Sequence, residues 1–133
     1  MPPTTFKDWM EVATERSGDA EELVNVRPNS VTAPYISGYC IECTLKAYLH
    51  KNGIPYPRAG QEGHNLQQLW RRAGFRKFDI KDSTGAKTYF IDSWNTSLRY
   101  ETKINSELSA TELVRGAKQL TRWLFNQLRR HRR

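Results

Sequence analysis

The stretch YCIECTLKAYLHKNGI, residues 39–54, is the strongest indication of an all-helical fold, because its apolar residues recur at the three- and four-residue spacing of a helix. With the residues just before it, the apolar face comprises Ile36, Tyr39, Cys40, Cys43, Leu45, Ala47 and Leu49. The helix is expected to run from Ser30 or Ala33 to Lys51, and Gly53 suits the residue that caps its end. A helix with so broad an apolar face predicts a central position in a helical domain.

Helical patterns also lie on both sides of this stretch. A first helix is expected from Thr5 to Val26, with an interruption conceivable at Gly18 and Asp19. A loop over residues 54–63 precedes a short helix over 64–73, and another helix is expected over 87–99. Residues 75–80, FRKFDI, are compatible with a short extended piece, although no partner strand is evident. The prediction is one all-α domain, residues 1–133, built as an antiparallel bundle of four to five helices.

The last helix has the clearest signals. Ser109 and Glu112 form the capping-box pattern S-A-T-E ahead of an apolar series. The series Leu113, Ala117, Leu120, Leu124 and Leu128 falls within about 80° of the helix circumference at about 100° per residue. The cations Arg115, Lys118, Arg122, Arg129 and Arg133 fall within about 60° on the opposite side. The pattern predicts an amphipathic helix with a basic face.

The positive charge of the chain is concentrated in that helix and the tail that follows it. The net charge is +7, and residues 115–133 contain no acid but carry Arg115, Lys118, Arg122, Arg129, Arg130, Arg132 and Arg133. In the remainder the charges balance, and Glu42 and Lys46 are spaced as a favourable i,i+4 ion pair. Arg71 and Arg72 form a second basic cluster. A polyanion partner such as RNA explains the asymmetry, and so does a solvated face that serves solubility.

Several classes of protein do not fit the sequence. No run of 18 apolar residues is present, so no membrane span is expected. The first residues lack a signal-peptide layout, so a cytoplasmic location is expected. Cys40 and Cys43 lie at i,i+3 on an apolar helix face without a second pair, which favours buried packing over zinc or redox chemistry. Trp70 could stack on bases, but its helix position favours the core. No metal and no cofactor are predicted.

Two stretches in order, YCIECTLKAYLHKNGI and GHNLQQLW, resemble the signature of HEPN domains. These helical bundles show a helix A-x-E-x-x-L-K-x-x-L, a loop, and then H-[DN]-L-x-x-L. The residues that match are Glu42, Leu45, Lys46 and Leu49 in the first part, and His64, Asn65, Leu66 and Leu69 in the second. Trp94 with Leu98-Arg99-Tyr100 is similar to the aromatic-x-x-x-x-R-Y element before the family's last helix.

The resemblance implies a bundle of four or five helices that usually forms a homodimer. Many members act in bacterial conflict systems as toxins or their helpers, alongside a cognate antitoxin or complex partner. One subset comprises metal-independent ribonucleases, in which two Arg-x4-6-His motifs meet across the dimer and leave a 2′,3′-cyclic phosphate. Other members lack the motif and bind nucleotides, RNA or proteins.

The motif of the ribonuclease members is poorly represented here. Arg58 is the one arginine at a suitable distance before a histidine, His64, and the match spans the Pro/Gly loop PRAGQEGH, residues 57–64. His64 also has an alternative role in capping the short helix. Arg99 and Tyr100 lie nearer to where the ribonuclease members keep their arginine, but no histidine follows within residues 101–107. Arg58, His64, Arg99 and Tyr100 are therefore the candidate catalytic residues.

Three hypotheses follow. The favoured one is a HEPN-like dimeric module that binds RNA, nucleotide or a partner, with nucleic-acid contacts from Arg71, Arg72, Arg115, Lys118, Arg122, Arg129 and Arg130. The second is a ribonuclease toxin of the same family. The third is a protein-interaction subunit of a larger complex, in which the basic face would be dispensable.

Overall fold

The computed structural model describes residues 3–57, 60–104 and 106–130, with the backbone alone at 60 and 61. The helices in these ranges are α1 (Phe6–Val26), α2 (Thr32–Lys51), α3 (Gly60–Gly63), α4 (Leu66–Arg72), α5 (Ala86–Asp92) and α6 (Ala110–Arg130). Two short 3-10 segments, Lys77–Asp79 and Thr96–Tyr100, lie between them. The described ranges contain no β-strand, so the all-α helical bundle predicted from the sequence is confirmed.

The first helix begins as predicted and continues further than its glycine suggests. The Thr5 hydroxyl accepts a hydrogen bond from the Asp8 backbone N–H at 3.1 Å, which caps α1. The interruption considered at Gly18 does not occur. A glycine costs a helix only about 1 kcal/mol, and the burial of Ala20 and Val24 beyond it holds the second half of α1 on the core.

The second helix is the centre of the bundle. Fourteen of its 20 residues are buried, so it is covered on nearly every side. The start of α1 packs on the end of α2, where Trp9 and Ala13 meet Cys43 and Ala47. The end of α1 packs on the start of α2 and of α6, through the cluster Ala20, Val24, Ala33, Ala110 and Val114. Consequently α1 runs antiparallel to both helices, and α2 and α6 run in the same direction.

The middle of the chain departs from the predicted boundaries. The helix expected over residues 87–99 ends at Asp92, and residues 96–100 form a 3-10 turn instead. The Asn95 side chain accepts a hydrogen bond from the Ser97 backbone N–H at 2.9 Å, a local bond that competes with the α-helix. The extended piece considered for FRKFDI is wrong, since Lys77–Asp79 is a 3-10 turn closed by a 2.9 Å bond from the Arg76 N–H to Asp79. The predicted loop over 54–63 contains the single turn α3.

The last helix agrees with its sequence pattern. The Ser109 hydroxyl accepts from the Glu112 N–H at 3.1 Å, and the Glu112 carboxylate accepts from the Ser109 N–H at 3.0 Å. The capping box is therefore confirmed. The apolar series Leu113, Ala117, Leu120, Leu124 and Leu128 is buried throughout. Among the helices of the described ranges, none combines the length and the apolar character that a membrane span requires.

Candidate functional site

A buried ion pair lies in the middle of α2. The Lys46 Nζ is 2.9 Å from the Glu42 Oε2, and the two side chains are only 1% and 5% exposed. The i,i+4 pairing was predicted, but its burial was not. Lys46 also lies over the Trp9 ring, with its Nζ 5.0 Å from the ring centroid. Since burying a charge is costly unless it is paired, this pair must be held by the packing around it.

His64 joins the same carboxylate from a different part of the chain. Its Nδ1 lies 2.7 Å from the Glu42 Oε1, and its side chain is 34% exposed. The helix α4 is capped by Asn65, whose side chain accepts from the Gln68 N–H at 3.1 Å. The capping role considered for the His64 ring is therefore wrong. When the neutral ring donates from Nδ1 to a carboxylate, its Nε2 is left as a proton acceptor.

A pair of tyrosines lies beside this histidine. The hydroxyls of Tyr35 and Tyr39 are 3.0 Å apart, and the Tyr39 ring meets the His64 ring edge-on at 5.5 Å between centroids. Trp94 packs against both tyrosines, and its indole N–H donates to the Tyr35 carbonyl at 3.2 Å. A Cβ added at Gly38 would overlap the Trp94 ring. Glycine at this position therefore lets Trp94 lie against α2 and support the tyrosine pair.

Arg99 interacts with Tyr100 and with Tyr35 of the tyrosine pair. The Arg99 guanidinium is 4.8 Å from the centroid of the Tyr100 ring. Hydrogen bonding to Tyr100 and then to Tyr35 raises the pKa of Arg99. Burial, followed by the hydrogen bond with Tyr35, raises the pKa of Tyr39, so its hydroxyl stays protonated. Within the tyrosine pair, Tyr35 thus interacts with Arg99 and Tyr39 contacts His64.

The polar cluster is defined as Tyr35, Tyr39, Glu42, Lys46, His64 and Arg99, and His64 is its one member that lines an open cleft. The cleft has a volume of about 450 Å³, and His64 lines it together with residues 65, 67 and 91–97. A histidine oriented by a carboxylate can accept a proton from a ligand in such a cleft, and an exposed arginine can bind a phosphate. Arg58 lies outside the described residues, so its pairing with His64 stays a prediction.

The basic face is defined as Arg115, Lys118, Arg122, Arg129 and Arg130, and the structure places all five at exposed positions of α6. Lys118 forms an exposed ion pair with Glu21 at 3.1 Å. Arg71 and Arg72 are exposed on a different helix, α4, where Arg72 donates to the Pro55 carbonyl at 3.3 Å. Exposure is what a binding role requires, and the role of these residues in binding nucleic acid stays a prediction.

The remaining candidates from the sequence belong to the core. Trp70 is 2% exposed and packs on Phe75 and Trp123, so its assignment to the core is confirmed. Cys40 and Cys43 are both buried and free, and burial raises the pKa of each thiol. A protonated thiol is a poor nucleophile and a poor metal ligand. In the part of the chain that the structure describes, no three His, Cys, Asp or Glu side chains are grouped to hold a metal.

The tyrosine pair and the partnership between Glu42 and His64 were not predicted from the sequence. A signal was present, because Tyr39, Glu42 and Lys46 follow an i, i+3, i+7 spacing that places polar groups on one stripe of a largely apolar helix. The partner that this stripe meets was not evident, since His64 lies 22 residues after Glu42.

Comparison with known proteins agrees with this architecture. A family model described as the HEPN domain matches residues 6–128, which include α1 to α5 and nearly all of α6. No curated protein and no solved structure matches the chain. The family match covers nearly the whole sequence, and its helical bundle is the architecture observed. The chain therefore belongs to the HEPN domain family.

Proposed function

We propose that this HEPN domain binds RNA through the basic face of α6. The observation that carries the proposal is the exposure of all five cations on a helix whose opposite side is buried in the core. No acid lies between Glu112 and the end of the helix, so beyond the first turn nothing on α6 itself neutralises the face. Phosphate groups spaced along a nucleic-acid strand match such a row of cations.

A merely solvated face is the competing interpretation. Solubility requires surface charge, but it does not require that all of the charge be positive. Soluble proteins usually intersperse positive and negative side chains on their surfaces. Within the described residues, Lys118 is the one member of the basic face that forms an ion pair, and its partner Glu21 comes from α1. The other four cations of the basic face are thus available to an external anion.

Salt dependence tests the proposal directly. For a single-stranded RNA, log affinity falls against log salt concentration with a slope of about 0.7 for each phosphate contact. The variant Arg115→Ala/Arg122→Ala/Arg129→Ala should bind more weakly and lower the slope by about 2. The variant Lys7→Ala/Arg27→Ala/Lys81→Ala removes the same charge from exposed positions elsewhere and should change the slope little. Equal losses in the two variants would count against the basic face.

Metal-independent RNA cleavage is a second candidate, favoured by the Glu42–His64 hydrogen bond. The His64 Nε2 would take the proton of a ribose 2′-OH, and Arg99 would stabilise the charge on the phosphate. The 2′-oxygen would attack phosphorus, and the 5′-oxygen would leave and take a proton from water. The products would carry a 2′,3′-cyclic phosphate and a 5′-hydroxyl.

Mapping the ends of RNA incubated with a chelator tests this candidate. His64→Ala should abolish the cyclic-phosphate ends, and Arg99→Ala should reduce cleavage about 100-fold or more. His50→Ala is the control, since His50 contacts Tyr56 and lies outside the polar cluster. Intact RNA with the wild-type protein, or cleavage that survives His64→Ala, would leave RNA binding as the function.

Two partners expected from the family stay proposals. A homodimer would present two copies of the basic face, and multi-angle light scattering of the purified chain would detect it. A cognate antitoxin would be required only for a cleaving enzyme. We therefore expect expression of the chain alone to be tolerated if it binds RNA without cleaving it, and to arrest growth if cleavage is its activity.

A further inference from the structure

We propose that a groove between α1 and α6 receives one unstacked base of a single-stranded RNA, while Lys118 and Arg122 bind the adjoining phosphate. This inference rests on the proposed RNA-binding function. It names the place where the protein would contact a base of the strand in addition to its phosphates. The groove is separate from the cleft beside His64, because the two share no lining residue.

The groove exists because α1 presents small side chains to α6 where the helices approach each other. Thr14 and Ser17 line the α1 side, and Cys40 from α2 and Thr121 from α6 form the floor, with 3.6 Å between the Cys40 sulfur and the Thr121 hydroxyl oxygen. The volume is about 250 Å³. One water molecule occupies roughly 30 Å³ in the liquid, so the groove has about eight times that volume. A space of this size suits a planar ring and is too small for a helix.

The walls of the groove offer a surface for stacking. Phe125 lines the groove and is 37% exposed, so part of its ring is open to a ligand. A large aromatic side chain left exposed beside cations is typical of sites where bases stack, since every base has a flat π-face. The hydroxyls of Thr14 and Ser17 lie on the opposite side and could bond to the polar edge of a base.

Two members of the basic face border the groove. Lys118 and Arg122 line it and lie four residues apart, so they project from the same side of α6. Lys118 is held by Glu21 in an exposed ion pair at 3.1 Å, an interaction weak enough for a phosphate to displace. The groove therefore combines a largely apolar lining with two cations at its border. The complementary ligand is a flat ring attached to an anion.

Single-stranded RNA has that chemistry, and a duplex does not, because its bases are stacked and paired. An acidic peptide with an aromatic side chain also has a ring and an anion. A row of cations that continues along α6 to Arg129 and Arg130 favours the polymer, since a nucleic-acid strand repeats its phosphates and a short acidic peptide does not.

Fluorescence anisotropy with three labelled probes of equal length tests the proposal. The probes are single-stranded oligouridylate, a ribose-phosphate oligomer without bases, and an RNA duplex. Phe125→Ala should weaken binding of oligouridylate about fivefold to tenfold and binding of the other two probes less than about twofold. Thr14→Leu, which places a longer side chain into the groove, should have the same selectivity. Phe78→Ala removes an aromatic side chain that is 77% exposed elsewhere and is the matched control.

The outcomes separate the groove from the proposed function. A steep salt slope with no effect of Phe125→Ala, or an equal loss for all three probes, would overturn the groove and leave the basic face intact. A wild-type protein that binds none of the three probes, or that binds only an acidic peptide with an aromatic side chain added as a fourth probe, would overturn both. Circular dichroism of each variant confirms that it is folded, and a loss of oligouridylate binding confined to Phe125→Ala and Thr14→Leu supports the groove.

Discussion

Lys46 and Lys118 each contact a glutamate at nearly the same distance, 2.9 Å to Glu42 and 3.1 Å to Glu21, yet the two pairs are built in opposite environments. The Lys46 side chain is 1% exposed and belongs to the polar cluster, whereas the Lys118 side chain is 50% exposed on the basic face. A buried pair is stabilising only as a pair, because removing one partner leaves a charge in the protein interior. An exposed pair contributes little, since water and salt screen it.

The buried pair is therefore expected to matter for the stability of the fold, whereas the exposed pair can be exchanged for a contact with a ligand. Within the polar cluster, His64 and the tyrosine pair are held by contacts between different parts of the chain. His64, just before α4, contacts Glu42 and Tyr39 of α2, and Trp94, just after α5, donates to the Tyr35 carbonyl. The cations of the basic face are exposed, and within the described residues Lys118 is the one among them that forms an ion pair. Substitutions in the two regions are therefore expected to change the free energy of unfolding by very different amounts.

The largest effect is expected from Glu42→Ala. The substitution leaves the buried Lys46 ammonium without its carboxylate and removes the acceptor of His64, so the free energy of unfolding should fall by about 3–5 kcal/mol. Urea denaturation followed by circular dichroism measures the change. Glu21→Ala is the matched control at the exposed pair and should cost less than about 1 kcal/mol.

A double substitution sharpens the same prediction. Glu42→Leu with Lys46→Leu removes both charges, and it should recover much of the stability that Glu42→Ala loses. If Glu42→Ala and Glu21→Ala were equally mild, the polar cluster would be no more important to the fold than a surface pair.

The next largest effect is expected from Gly38→Ala, which tests the support of the polar cluster by Trp94. The added Cβ overlaps the Trp94 ring, so the variant should lose about 1–3 kcal/mol although alanine favours a helix. Gly18→Ala is the control, because nothing lies within 4 Å of a Cβ there. This control should gain about 0.4–1 kcal/mol. Thermal denaturation measures both, and a stabilising Gly38→Ala would show that Trp94 is not fixed against α2.

Removing charge from the basic face should hardly change stability. The variant Arg115→Ala/Arg122→Ala/Arg129→Ala should differ from the wild type by no more than about 0.5 kcal/mol for each substitution, because exposed positions away from the core contribute little. The same urea titrations measure it. A loss comparable to that of Glu42→Ala would mean that the cations hold the fold, and the contrast between the two regions would fail.

The smallest effect concerns Glu112, at the start of the helix that carries the basic face. Hydrogen bonding from the Ser109 backbone, followed by that from its side chain, lowers the pKa of Glu112. A carboxyl with a lowered folded-state pKa stabilises the fold above its unfolded pKa, and this contribution is lost as the pH falls through the folded pKa.

Melting temperatures across the acidic range check this prediction. Glu112→Gln should melt slightly below the wild type at neutral pH, and the two curves should converge as the carboxyl becomes protonated. Glu22→Gln, at an exposed position of α1, controls for removal of a surface charge. A difference that persists unchanged into strong acid would assign the effect to the shape of the side chain and not to its charge.

The parts of the fold that could be predicted are those that depend on neighbouring residues. Thr5 and Ser109 were recognised as helix starts because a cap is a bond between residues three apart. The helix over residues 87–99 was predicted too long, because the Asn95 side chain starts a new turn and the apolar periodicity continues through it.

The same distinction applies to the site. Residue spacing by itself determined the Glu42–Lys46 pair, the leucines of α6 and the position of the basic face opposite them, since a helix repeats every 3.6 residues wherever it lies. The burial of Glu42, its contact with His64 22 residues later and the bond from Trp94 to Tyr35 across 59 residues all depend on how the helices pack together. The groove between α1 and α6 is likewise a tertiary feature. Contacts between distant residues depend on how the helices pack, and no local pattern in the sequence records that packing.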